Sequence, residues 1–181
     1  MNTAVLARPC TTARKMHVIQ GQHAVSSDAD VSITTILGSC VAACIYDPWR
    51  GVGGMNHFLL AGQDGGEAAM RYGAYAMEVL INDLLKAGAQ RGRLQAKLFE
   101  GAKMMDRVTD IGAGNVVFAR RFLLNEDIAL VSESLGGRRA RRVEFWPVGG
   151  RARQREVDQR IDPAIECAAA PVPADDDVEL F

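Results

Sequence analysis

A cysteine and a histidine that could act as a nucleophile and its base lie at the two ends of one predicted hairpin. Cys40 follows a tight Gly38-Ser39 corner, and His57 ends the segment that returns after a turn at 47–51. A free thiol has a pKa of about 8.5 and is mostly protonated at neutral pH, whereas an adjacent imidazole that accepts its proton yields the reactive thiolate. These two residue types therefore favour covalent attack on an acyl carbon.

The segments around this pair are expected to bring the two side chains together. Residues 31–37 and 41–46 are rich in apolar and β-branched residues, which is typical of strands. A proline and a glycine suit the tight turn that follows the second of these segments. If the hairpin closes at that turn, paired residues have numbers that sum to about 97, or to one or two more with a bulge. At a sum of 97, Cys40 lies directly opposite His57, with Cβ atoms ~4.5–5.5 Å apart.

Other residues of this stretch could complete a site. The backbone N–H groups of Gly38, Ser39 and Cys40 could bind the oxyanion that forms during acyl transfer. Thr34, on the strand before the corner, could hydrogen-bond His57 and thereby select its tautomer. The same sequence also fits a purely structural interpretation, in which Cys40 is a buried thiol of an apolar hairpin.

The second cysteine of the hairpin, Cys44, is expected in the core. It faces the same side of the strand as Cys40 but lies ~13 Å further along, at about 3.3 Å per residue. A disulfide needs Cα atoms within ~7 Å of each other, and zinc ligands all lie within ~2.3 Å of one ion. The spacing therefore disfavours both a disulfide and a zinc site.

Composition excludes several classes of protein. The chain has 181 residues, 48% of them hydrophobic, which is enough for the core of one domain. A formal net charge of −1 argues against a general nucleic-acid-binding protein, since such proteins are usually basic. The sequence contains no apolar run near the ~20 residues of a membrane span, and four cysteines are too few for a disulfide scaffold. A cytoplasmic protein with free thiols is expected.

Periodicity predicts an α/β protein of the α+β type, in which two main helices pack on a mixed, strand-rich sheet. The helices are expected at 68–87 and 112–125, where apolar residues recur every three or four positions. Further strands are expected at 15–20, 94–99, 128–133 and 142–146.

The ends of the chain differ in composition from this single predicted domain, which spans residues 15–160. A flexible leader is expected at 1–14, and a disordered tail rich in alanine, proline and acidic residues at 161–181. Within the domain, residues 138–155 hold seven arginines. These form either an ordinary solvated surface or a docking face for an acidic partner.

Five separated motifs stand out in order along the chain. They are L-G-S-C-V-A-A-C-I-Y-D-P, V-G-G-M-N-H-F-L-L, A-K-L-F-E-G-A, I-G-A-G-N-V and L-G-G-R-R-A-R-R-V. Together they resemble the CheD family, the chemoreceptor glutamine deamidases of bacterial chemotaxis, from about residue 16 to residue 150. Two places in these motifs depart from the family pattern. Glu100 stands before Gly101 where a second glycine is common, and the stretch after His57, 58–62, lacks the proline that is usual there.

The resemblance implies a cytoplasmic enzyme that hydrolyses glutamine side chains of methyl-accepting chemotaxis receptors to glutamate. It assigns Cys40 as the nucleophile that forms a thioester, His57 as the general acid and base, and Thr34 as the residue that orients His57. Ammonia is released, and neither a cofactor nor a metal is required. The implied fold is similar to that of the cytotoxic-necrotizing-factor-type deamidases, and the implied partners include CheC, a phosphatase of the response regulator CheY.

Two other functions remain open from the sequence. One is a docking module with little or no turnover, which binds a CheC-type phosphatase or the receptors. The other is a different cysteine acyl-transfer enzyme, such as a peptidase or a transglutaminase-like protein, which would release a peptide or form a cross-link instead of ammonia.

Overall fold

The computed structural model of the protein describes residues 14–60, 67–101, 111–137 and 139–157. Its elements in chain order are β1 (Arg14–His17), β2 (His23–Ser26), β3 (Val31–Leu37), β4 (Val41–Asp47), β5 (Val52–Phe58), α1 (Glu67–Lys86), a 3₁₀ turn (Arg91–Arg93), β6 (Gln95–Glu100), α2 (Ile111–Asn125), β7 (Ala129–Ser134), β8 (Arg141–Trp146) and β9 (Arg151–Glu156). The predicted tail at 161–181 lies outside the described residues, as does the predicted leader up to residue 13.

The described strands form two sheets. A four-stranded sheet has the order β1-β3-β8-β9, and a five-stranded sheet has the order β2-β5-β4-β6-β7. The β1–β3 and β6–β7 pairs are parallel, and the other pairs are antiparallel. The predicted class, a mixed α+β fold with two main helices, is confirmed, although the strands divide between two sheets where one was expected.

Strand β4 lies at the centre of the five-stranded sheet and is buried along its whole length. Because successive side chains point to opposite faces, alternate residues of β4 enter two different hydrophobic clusters. Val41, Ala43 and Ile45 lie in the first cluster, where they pack with the buried sides of α1 and α2. The second, shared with β3 and β8 of the other sheet, takes Ala42, Cys44 and Tyr46. The protein is therefore built in three layers: helices, the five-stranded sheet, and the four-stranded sheet.

A tight turn joins β4 to β5 and sets their register. Gly51 has a φ of 63°, as predicted for the residue that closes the turn, and its N–H donates to the carbonyl of Asp47 at 3.0 Å. The buried Asp47 carboxylate accepts backbone N–H bonds from Trp49, Arg50 and Gln90 at 2.9, 3.1 and 3.0 Å. Burial by itself would raise the pKa of Asp47, but these donors hold it below its usual value.

Neither helix in the described part of the chain is both long enough and apolar enough to cross a lipid bilayer.

Candidate active site

The register of the β4–β5 hairpin places Cys40 diagonally from His57. His57 pairs with Ala42, so the prediction that Cys40 lies directly opposite His57 is wrong by two residues. Directly paired residues share a face, and His57 therefore points into the layer between the two sheets, where Cys40 also lies. Diagonal neighbours have Cα atoms ~7–8 Å apart, so the two side chains can approach each other across this face.

A short chain of hydrogen bonds selects the tautomer of His57. Thr35 Oγ1 donates its only proton to the carbonyl oxygen of Val18, at 2.7 Å. The same oxygen lies 2.9 Å from His57 Nδ1 and must therefore accept from it. We assign the imidazole proton to Nδ1, because neither neighbouring oxygen can donate a proton to that nitrogen. The Val18 carbonyl has no proton, and the Thr35 hydroxyl already uses its proton in the bond to Val18. Nε2 is left as the basic nitrogen.

The residue that orients His57 is thus Thr35, and the prediction for Thr34 is wrong. Thr34 Oγ1 donates instead to the carbonyl of Val143, at 2.8 Å. The reason is strand alternation: Thr35 lies on the same face of β3 as the core residues Ile33 and Leu37, whereas Thr34 faces the opposite side. An alternating apolar pattern around Thr35 was the signal in the sequence that could have identified it.

Burial keeps His57 neutral. The residue is 6% exposed, and this desolvation lowers the pKa of His57 to about 4, although a hydrogen bond to the Val18 carbonyl acts in the opposite direction. Among the residues that the structure describes, none forms a hydrogen bond with His57 Nε2, although this nitrogen is buried. An uncharged imidazole with a free lone pair is what a general base requires at neutral pH.

Cys40 lies at the corner between β3 and β4 and is 2% exposed. Its thiol donates to Oε1 of Gln20, with the sulfur 3.4 Å from that oxygen. Cys44 lies further along the same face, is fully buried and packs opposite Met55, as predicted for a core residue. Burial raises the pKa of the Cys44 thiol, which leaves Cys40 as the better candidate for a reactive thiolate.

Gln20 reaches Cys40 from a turn that is bonded to the backbone of His57. The N–H of Gln22 donates to the carbonyl of Ile19 at 3.0 Å, and Gly21 takes the positive φ of 83° that this turn requires. The N–H of Gly21 donates to the carbonyl of His57 at 2.8 Å, and the N–H of His57 donates to the carbonyl of Gln22 at 3.0 Å. The sequence carried no sign of this contact, because the turn and the corner are brought together only by the fold.

The Gly38-Ser39-Cys40 corner packs against Gly101 at the end of β6. The N–H of Gly101 donates to the Cys40 carbonyl at 3.3 Å, and a Cβ at this position would lie 1.9 Å from the carbonyl oxygen of Gly38. The corner therefore requires a glycine here. The neighbouring Glu100 pairs with Val41, on the helix side of the sheet, and its carboxylate accepts the N–H of Gly136 at 2.7 Å. It does not enter the layer that holds Cys40 and His57.

Four arginines of the predicted basic region, Arg142, Arg151, Arg153 and Arg155, lie on the outer face of the four-stranded sheet. A cavity of about 370 Å³ lies on this face, with Lys15, Thr34, Arg142, Glu144, Arg153, Gln154 and Arg155 around it. Arg153 donates two hydrogen bonds to Glu144, at 2.9 and 2.6 Å. Arg142 and Arg155 occupy directly paired positions of β8 and β9.

In the described ranges, no three His, Cys, Asp or Glu side chains lie close enough together to hold a metal ion.

Comparison with known proteins identifies relatives over nearly the whole chain. The model of a family described as CheD chemotactic sensory transduction matches residues 59–156. A Caulobacter vibrioides protein named probable chemoreceptor glutamine deamidase CheD is 56% identical over 93% of this chain and 94% of its own. Proteins of the same name from Acidiphilium cryptum and Agrobacterium fabrum are 54% and 50% identical, over 99% and 93% of this chain and 100% and 97% of theirs.

Similarity to solved structures is weaker. The Neisseria meningitidis protein NMB0706 aligns over 69% of this chain and 64% of its own, at 13% identity and with a TM-score of 0.44. A likeness at this level carries no argument about function.

Replacing Thr35 by valine should slow alkylation of Cys40 by iodoacetamide at least about tenfold at pH 7, because the proton of His57 is no longer confined to Nδ1. The adjacent Thr34→Val is the matched control, since it removes the same hydroxyl from the opposite face of the strand. Peptide mass spectrometry of each cysteine over time measures the rate. Equal rates for the two variants would contradict the role of Thr35.

The stability of the protein should also report on the buried imidazole. Since the pKa of His57 is about 4 in the folded protein and about 6.5 in the unfolded chain, only the unfolded chain takes up a proton here between these values. The contribution of neutral His57 to the free energy of unfolding is therefore fully present above pH 6.5. It is lost as the pH falls towards 4, and the loss reaches about 3 kcal/mol. The free energy of unfolding, measured with urea across this pH range, should depend less on pH for His57→Gln than for the wild type. If both proteins lost the same free energy, His57 would not be the cause of the pH dependence.

Proposed function

The chain belongs to the CheD family of chemotactic sensory transduction proteins, and we propose that it hydrolyses glutamine side chains of chemoreceptors to glutamate through a covalent thioester at Cys40. The names of the relatives support the reaction and the receptor substrate. The observation that carries the mechanism is the pairing of Thr35 with His57 Nδ1, which turns an unprotonated Nε2 towards the layer that holds Cys40.

In the first half of the reaction the Cys40 thiol gives its proton to His57 Nε2, and the sulfur attacks the carboxamide carbon of the receptor glutamine. The carbonyl oxygen gains negative charge, which the backbone N–H groups of the Gly38-Ser39-Cys40 corner stabilise. When the C–N bond breaks, the proton on Nε2 passes to the leaving nitrogen, so that ammonia departs and a thioester remains.

In the second half His57 Nε2 takes a proton from a water molecule, which attacks the thioester carbon. The C–S bond then breaks, the proton returns to Cys40, and the receptor side chain leaves as glutamate. One glutamine and one water are converted to one glutamate and one ammonia. The reaction takes place in the cytoplasm, on the receptor segments exposed there.

Incubation of a cytoplasmic receptor fragment with the protein should raise the mass of the fragment by about 1 Da for each modified glutamine, because OH replaces NH₂. Cys40→Ala should abolish this change while the fold is kept. Cys44→Ala is the matched control, since it removes a buried thiol of the same hairpin and should retain the activity. Peptide mass spectrometry identifies the modified positions, and full conversion by Cys40→Ala would refute the mechanism.

The cavity on the outer face of the four-stranded sheet favours a second function, docking of a CheC-type phosphatase through an acidic surface. Directly paired like charges in a sheet are unfavourable, yet Arg142 and Arg155 are paired on β8 and β9. In the described part of the chain, the buried Nε of Arg142 has no hydrogen-bond partner. A carboxylate from a partner would offset the repulsion between the two arginines.

The double variant Arg142→Ala/Arg155→Ala should weaken binding to a purified CheC-type phosphatase by about tenfold, and the loss should shrink as salt is added. Arg151→Ala is the matched control, because Arg151 lies on the same strand but stacks on the Trp146 ring, 4.0 Å from its centre. Titration calorimetry at two ionic strengths measures both effects. Equal losses for the two variants would contradict a docking role for the cavity.

A further inference from the structure

We propose that the side chain of Gln20 occupies the position that the substrate carboxamide takes beside Cys40, so that the receptor glutamine must displace it before reaction. This inference rests on the proposed deamidase function and adds the residue that the substrate replaces. Gln20 carries the same functional group as the substrate, and its amide oxygen lies 3.4 Å from the Cys40 sulfur.

The direction of this hydrogen bond explains why Gln20 can rest on the nucleophile without being attacked. The thiol is the donor, so its proton points at the amide oxygen and the sulfur remains uncharged. Attack would instead require the thiolate sulfur to approach the amide carbon, after its proton had passed to His57. His57 Nε2 has no hydrogen-bond partner among the described residues, so its lone pair is available for that proton.

The burial of the thiol also indicates that Gln20 must move before the substrate can bind. Cys40 is 2% exposed, and a substrate carboxamide cannot touch its sulfur unless a covering group moves. Gln20 is half-buried and begins at the exposed edge of the site, next to Ile19, which is 63% exposed. Its side chain can therefore rotate towards solvent while the backbone of the turn stays bonded to His57.

Tyr72 of α1 lies on the other side of this turn. Its hydroxyl is close to Gly21, since a Cβ added at that glycine would lie 3.3 Å from the oxygen. Burial raises the pKa of Tyr72, and a negative charge on the nearby Cys40 would raise it further, so the phenol stays neutral. The ring is 38% exposed and marks the side from which a receptor helix can reach the turn and push the Gln20 side chain away.

Gln20→Ala tests the proposal by two independent measurements. Without the acceptor, the Cys40 thiol no longer donates to Gln20 and transfers its proton to His57 more readily, so alkylation by iodoacetamide at pH 7 should accelerate about three- to tenfold. The KM for a receptor fragment should fall by a similar factor, because no internal amide competes with the substrate. Gln22→Ala is the matched control: it shortens another glutamine of the same turn, whose amide oxygen accepts from the Ile19 N–H at 3.5 Å.

A slower alkylation or a raised KM in Gln20→Ala would overturn the proposal, because Gln20 would then activate the thiol or bind the substrate. Unchanged alkylation would overturn it as well, because the contact would not restrain the thiol. Gln20→Asn, whose amide is one methylene too short to reach the sulfur, should repeat the effect of Gln20→Ala. Alkylation needs no receptor turnover, so faster alkylation together with no deamidation by any variant would disprove the proposed function separately.

Discussion

The alternation of side chains along β4 is the constraint on which the site depends. Both faces of this strand are buried, so each residue must fit either the layer of helices or the layer between the sheets. Cys40 lies in the layer between the sheets because it is two and four residues from Ala42 and Cys44 and therefore points to the same side of the strand. A shift of one residue would turn the thiol towards the helices and place an aliphatic side chain beside His57. The same hydrophobic packing that stabilises the sheet therefore holds the proposed nucleophile, Cys40, and the proposed base, His57, on one side of it.

Thr35 is an uncharged third residue beside Cys40 and His57 in the candidate active site. A carboxylate in its place would stabilise a protonated imidazole and raise the pKa of His57, as in the hydrolases that pair histidine with aspartate. A hydroxyl orients the ring without adding charge, and the pKa of His57 is lowered by burial. His57 is thus neutral at neutral pH, and in the proposed mechanism the imidazole becomes charged only as the Cys40 thiol reacts.

Local patterns in the sequence predicted most of the elements, because each pattern reflects contacts within one segment. Strand β3, the turn after β4 and both helices lie within a residue or so of their predicted bounds. Strand β9 was missed because its sequence, R-A-R-Q-R-E, has no apolar alternation; it lies at the edge of its sheet and is mostly exposed.

The details of the site depended on register and on distant contacts. The hairpin pairs two residues further along than a direct Cys40–His57 pair requires, and one step along β3 separates Thr34 from Thr35. Neither shift changes composition or periodicity, so only the three-dimensional pairing could reveal them. The contacts of Gln20 and the Val18 carbonyl join the corner to a segment that precedes it by many residues, and no motif spans that separation.

The position of Val18 in the chain has a consequence for any shortened form of this protein. The segment matched by the family model, 59–156, begins after Cys40 and His57, and the carbonyl that holds the Thr35 proton lies earlier still. A protease that cut between Val18 and β2 would leave Cys40 and His57 in one polypeptide but place on another the carbonyl group that fixes the Thr35 hydroxyl beside His57. The segment just after β1 therefore helps to hold His57, although it lies outside the hairpin that carries the two proposed catalytic residues.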